Sequence, residues 1–165
     1  RADLLGYSLG AFSGVHLLGH NQERFNSVIM MGIGDEDEES IALAPVIANA
    51  LRAEDLSQIT DPEGLWYRIL VSIDPRNDLE ALALSALQMW PEGFPLQLGG
   101  PGLSNVVIPV LIINGENDVP YVYTDQNLAA AIPGATLVEI PDSGHLDVLF
   151  DLRFRDEVLN FLADQ

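Results

Sequence analysis

Three residues of this chain, Ser8, Asp118 and His145, are of the types that together carry out acyl transfer. A serine hydroxyl is a poor nucleophile until a base takes its proton, and a histidine, which titrates near neutrality, suits that task. A carboxylate beside the histidine would hold the imidazole in the right tautomer and stabilise it once charged. Taken singly, each has a plainer reading: a turn serine, a loop aspartate, a surface histidine. Their settings favour the joint reading. Ser8 lies in Gly6-Tyr7-Ser8-Leu9-Gly10, after the apolar Leu4-Leu5 and before a helical pattern. A sharp strand-to-helix turn of that kind lifts the hydroxyl clear of a sheet and asks for neighbours without Cβ atoms. It also brings the Leu9 backbone N–H to a helix start, where a developing oxyanion can be held.

The elements that must position these residues follow from the apolar pattern. Residues 2–5 read as a strand and 9–18 as a helix, with Phe12, Val15 and Leu18 at helical spacing and Gly19 as its stop. Gly10 and Gly14, four apart, would let that helix press closely on the sheet. Residues 25–31 and 106–114 are strands of the kind buried on both faces, the second pairing from Pro109 onward. Residues 135–140 form the last strand, and helices are expected at 124–132 and 149–162. Ser8, Asp118 and His145 then each sit just past the C-terminal end of a strand, where ligands bind in open α/β sheets. The order β-α-β-(helical insert)-β-α-β-α implies right-handed crossovers and a parallel sheet.

Between the second and third strands the pattern turns helical. One helix is expected at 41–51. A second opens at Asp61-Pro62-Glu63 and runs towards Ile73, and a third opens at Asn77 with Glu80 three residues on, a variant of the capping box. The expected division is a core of residues 1–34 and 105–165 with a helical lid at 35–104. Trp66, Tyr67, Met89, Trp90 and Phe94 either line an apolar pocket under that lid or hold the lid together; Tyr7, Trp66 and Trp90 are the substrate-contact candidates.

Other groups carry less. His16 and His20 have a metal-ligand spacing but no third ligand, and read as ordinary helix residues. The run Asp35-Glu36-Asp37-Glu38-Glu39 lacks the alternation of a calcium loop and reads as a solvated loop. No metal and no cofactor is expected. The 165 residues contain no cysteine, which excludes disulfides, thiolate metal sites and a cysteine nucleophile. The formal net charge is −18, and all seven basic residues are arginine. Such a surface repels nucleic acid and anionic membranes. Two readings stand for it: a generally acidic protein, or adaptation to high salt, where self-repulsion is screened. The longest apolar runs, 41–51 and 106–113, each contain a proline and are too short to span a bilayer. No leader is visible, and the expectation is a cytoplasmic protein. The oligomeric state is not legible.

With Asp3-Leu4-Leu5-Gly6-Tyr7-Ser8-Leu9-Gly10, Pro109-Val110-Leu111-Ile112-Ile113-Asn114-Gly115-Glu116-Asn117-Asp118 and Ser143-Gly144-His145, the chain resembles the C-terminal part of an α/β-hydrolase-fold protein. The resemblance covers essentially the whole chain. It implies that Ser8 is the nucleophile, His145 the general base and Asp118 the orienting acid, with Asp35 as fallback acid and Glu116 and Asp142 as weaker ones. A serine at the elbow argues against the haloalkane dehalogenase and epoxide hydrolase branches. The expected function is therefore a serine hydrolase acting on a small ester or related acyl substrate through an acyl-enzyme on Ser8. The alternatives are a non-catalytic ligand-binding module, or an incomplete fragment without independent activity. Family members have several strands before the elbow and a second oxyanion donor there. The expected fold is accordingly a partial one, with four mostly parallel strands, the elbow strand at an exposed edge, and impaired activity in this chain alone.

Overall fold

The four apolar runs form one parallel sheet in the order β1-β2-β3-β4 in the structure, a computed structural model that describes residues 1–35, 38–89 and 99–165. β1 spans Ala2–Tyr7, β2 Phe25–Met31, β3 Val110–Gly115 and β4 Thr136–Ile140. Parallel register pairs Tyr7 with Met31, Met31 with Ile113, and Gly115 with Ile140, so the C-terminal ends of the strands share one rim of the sheet. β3 is buried along its whole length and β2 from Ser27 onward. Strands covered on both faces have no reason to alternate polar with apolar residues, and these do not. β1 is an edge strand, with Leu5 49% exposed.

Helices connect and cover the strands. α1 (Leu9–Asn21) packs on β1 and β2 through a stripe that includes Phe12, Val15 and Leu18. On a core built from Ile29, Met31, Leu111, Ile113 and Ile140 lie Phe154, Val158 and Phe161 of the C-terminal helix, Leu152–Ala163. A short helix, Asp125–Ala131, links β3 to β4. Contacts divide the chain into a sheet unit, residues 1–36 and 94–165, and a helical unit, residues 37–93.

The helical unit contains α2 (Glu38–Arg52), α3 (Pro62–Ser72) and α4 (Leu79–Met89). Its core joins Ile47, Ala48, Leu51, Ala83 and Ala86, with Tyr67 and Leu82 packed against them. The side chain of Asp61 caps α3 at the Gly64 N–H, with Pro62 as its first residue, as the sequence predicts. We number the two later helices α5 (Asp125–Ala131) and α6 (Leu152–Ala163).

Two local expectations are corrected. α1 does not stop at Gly19 but continues to Asn21. A Cβ at Gly19 would fall on the Gly99 backbone, so this glycine serves close packing rather than termination. The cap of α4 is Asp78, whose carboxylate accepts the N–H groups of Glu80 and Ala81. Asn77 donates instead to the Val71 carbonyl, and Glu80 accepts from Arg52 Nη2 at 2.7 Å and Nε at 2.8 Å in place of closing a capping box. No helix among the described residues is long and apolar enough to cross a membrane.

Candidate active site

Ser8 closes β1 and caps α1, yet its side chain makes no capping bond. A serine in this position ordinarily turns its oxygen onto the first N–H groups of the helix. Here the backbone prevents it. Ser8 has φ 50° and ψ −118°, a conformation that costs a non-glycine residue on the order of 1–3 kcal/mol and is retained only where surroundings enforce it. Those surroundings are visible: the Ser8 N–H donates to the Met31 carbonyl at 2.8 Å, and its own carbonyl accepts from Ala11 and Phe12. Gly6 is required beside it, because a Cβ there would fall on the Gly10 carbonyl. Gly10 is not: a Cβ at that position would meet no atom within 4 Å.

Released from capping, Ser8 Oγ lies 3.1 Å from His145 Nε2. His145 Nδ1 is 2.9 and 3.0 Å from the two carboxylate oxygens of Asp118. The Asp118 side chain is fully buried and that of His145 is 20% exposed, so the line runs from a desolvated carboxylate out to the serine. The Asp118 carboxylate at Nδ1 favours the tautomer that carries its proton there, with the Nε2 lone pair turned to the Ser8 hydroxyl. As the first residue of α1, Leu9 has no helical carbonyl four residues back, so its N–H is one of the helix's open donors.

The imidazole is boxed in. Tyr7 and Tyr121 lie over it with ring centroids 5.0 and 5.5 Å away. The Tyr7 hydroxyl donates to the His145 carbonyl at 2.8 Å, so Tyr7, read from the sequence as a substrate contact, holds the histidine loop. The loops carrying Asp118 and His145 are tied together: Asn117 N–H donates to the Ser143 carbonyl at 2.8 Å, and Asp142 N–H to Glu116 Oε2 at 3.1 Å. Glu116 and Asp142 thus bond within the loops, while Asp118 is the carboxylate at His145 Nδ1. The Asp35 N–H donates to Thr124 Oγ1 at 3.0 Å. Asp151 caps α6 and accepts the Ser143 hydroxyl. Its carboxyl is held well below the usual range, first by the Arg153 guanidinium and then by the Arg153 N–H.

Of the remaining candidates, Trp66 packs edge-on against Tyr67 within the helical unit, and Trp90 lies outside the described residues, as does Phe94. His16 and His20 stack at 4.4 Å on α1, with no cluster of three metal-ligating side chains among the described residues. Two features of the site escape sequence reading. Gly32, at φ +66°, faces the imidazole, and Asn114 is a buried polar residue one short of the end of an otherwise apolar strand. The single polar interruption after Val110–Ile113 was the available signal for the second.

A model of the alpha/beta hydrolase family matches residues 1–159. No curated protein sequence matches the chain. Among solved structures, a hydrolase from Pseudomonas aeruginosa superposes with a TM-score of 0.73 at 24% identity, over 98% of this chain and 64% of its own. A thermophilic esterase from Thermogutta terrifontis gives 0.71 at 20% identity, over 98% and 64%. The enol-lactonase of Burkholderia xenovorans gives 0.67 at 23% identity, over 99% and 66%. The chain thus spans less than two thirds of the length of each of these structures.

Proposed function

The chain belongs to the alpha/beta hydrolase family, and on that premise we propose that it is a serine hydrolase of small esters, lactones or related acyl compounds. Ser8 Oγ attacks the substrate carbonyl carbon while His145 Nε2 takes its proton. The Leu9 N–H receives the oxyanion. The intermediate collapses to an acyl-Ser8, and the departing alkoxide leaves with the proton from His145. Water then attacks the acyl carbon, His145 again takes a proton, and the acid is released with Ser8 restored. Asp118 stays ionised throughout and stabilises the imidazolium.

One observation carries the reading: the unbroken line from Ser8 Oγ through His145 to a fully buried Asp118, with separations of 3.1 and 2.9 Å. The esterase and the enol-lactonase among the similar folds support the substrate class. An alkyl fluorophosphonate is expected to form one covalent adduct, mapped to Ser8 by peptide mass and abolished by Ser8→Ala. An unlabelled wild type, or equal labelling of Ser8→Ala, overturns the proposal.

A further inference from the structure

Asn114 lies next to the C-terminal end of β3, fully buried, where a polar side chain needs a full set of partners. It has one. Its Oδ1 accepts the N–H groups of Gly32 at 3.0 Å and Ile33 at 3.1 Å. Its Nδ2 donates to the Ile33 carbonyl at 2.9 Å and to Asp125 Oδ2 at 3.0 Å. Two donors face one end of the amide and two acceptors the other, so its orientation is forced and all four of its bonds are made. Three of the four go to the same two residues of the turn after β2.

That turn abuts the imidazole. Gly32 has φ +66°, and a Cβ on it would lie 2.8 Å from His145 Cε1, 3.1 Å from Nδ1 and 3.2 Å from the Tyr7 ring. Bare backbone therefore forms the wall against the Nδ1–Cε1 edge of the ring, at a φ that glycine adopts without strain, and the Asn114 bonds tie both residues of that turn. Asp125 completes the hold from the start of α5. It is buried too, with Oδ2 on Asn114 and no partner for Oδ1 among the described residues.

We propose that Asn114 is a positioning residue for His145: by fixing the Gly32–Ile33 turn it sets the seat of the imidazole, so that Nδ1 stays on Asp118 and Nε2 on Ser8. The inference rests on the reading of His145 as the base of Ser8. Asn114 itself touches neither substrate nor ring. Losing it would let the wall shift, and displacements of that scale at a reacting pair cost roughly tenfold to a hundredfold in rate.

The test uses the whole chain, with Asn114→Ala and Gly32→Ala, and two readouts. The first is the heteronuclear spectrum of the imidazoles. There are only three histidines, and His16 and His20 on α1 serve as internal controls. The His145 ring resonances are expected to move in both variants while those of His16 and His20 stay put. The second readout is fluorophosphonate inactivation, in which kinact is expected to fall roughly tenfold or more with KI unchanged. Folded variants with an unmoved His145 spectrum, or with unchanged kinact, overturn the proposal. Should Asn114→Ala fail to fold, Asn114→Ser, whose single hydroxyl cannot make all four bonds, decides by the same criteria. If wild-type Ser8 takes no label, the serine-hydrolase reading fails, while the His145 spectrum still decides whether Asn114 seats the ring.

Discussion

The sheet unit and the helical unit bury different things. Among the described residues, every buried polar or charged side chain, Ser27, Asn114, Asp118, Asp125 and Ser143, belongs to the sheet unit. The buried side chains of the helical unit are aliphatic and small: Ala44, Ile47, Ala48, Ala50, Leu51, Ala83 and Ala86. Burying a polar group costs free energy unless each of its bonds is remade inside. Asn114, Asp118, Asp125 and Ser143 follow or flank the C-terminal ends of β3 and β4, on the rim that carries His145, while Ser27 near the start of β2 donates to Asp3. In the helical unit short side chains let helices approach closely, and charges such as Arg52 and Glu80 stay at the surface. One unit is built to aim side chains, the other to pack.

The largest effects should come from breaking this division where it is sharpest. Asp118→Asn keeps the shape of the buried carboxylate but removes the acceptor that selects the His145 tautomer. Fluorophosphonate labelling of Ser8 is expected to slow by about 10⁴ with little loss of stability. Leu51→Ala in the helical unit is expected to do the reverse. It empties space in an aliphatic core, costs about 2–5 kcal/mol by denaturant melting, and leaves the labelling rate of the folded protein unchanged. A labelling rate that falls with Leu51→Ala as it does with Asp118→Asn would erase the distinction between the units.

A smaller contrast lies within the elbow itself. Gly6→Ala places a Cβ on the Gly10 carbonyl and is expected to cost about 3 kcal/mol or more, read as a large drop in Tm. Gly10→Ala meets open space in the first turn of α1 and is expected to stabilise by roughly 0.5–1 kcal/mol. The two glycines look equivalent in the pentapeptide and are not. If Gly6→Ala melts like wild type, the elbow is not held by the close approach described above.

Those glycines show what the residues alone can reveal. Ser8, Asp118 and His145 were legible because each follows an apolar strand, and parallel strands end on one rim. The burial of β2 and β3 on both faces was legible because Val28–Met31 and Val110–Ile113 are too apolar to face water. Side-chain allegiance was not. Glu80 bonds Arg52, 28 residues away, and Asn114 bonds Gly32, 82 residues away, and no local rule pairs such positions. Gly19 misled for the same reason: its partner at Gly99 is remote, so a glycine that packs looked like one that stops a helix.

The smallest effects are electrostatic and differ in sign, which makes pH the probe. Asp125 is pushed up, mainly by burial, with the Asn114 bond opposing. A carboxyl raised on folding adds stability that is complete below the ordinary carboxylate range and is lost as pH rises through the folded value. Asp151 is held down by Arg153, so its contribution is complete above the ordinary range and is lost as pH falls through the folded value. Relative to Asp125→Asn, wild-type Tm should therefore gain on acidification; relative to Asp151→Asn, it should lose. Glu80, lowered by the exposed Arg52, shares the sign of Asp151. Open to solvent on both partners, that pair is screened, so Glu80→Gln should lower Tm slightly in dilute buffer and not at all in molar salt. The buried Asp125 is shielded from salt, and its acid-side gain should persist there. Parallel pH curves for Asp125→Asn and Asp151→Asn would show that neither carboxyl differs between the folded and unfolded chain. Loss of the Asp125 effect in salt would place it at the surface with Glu80.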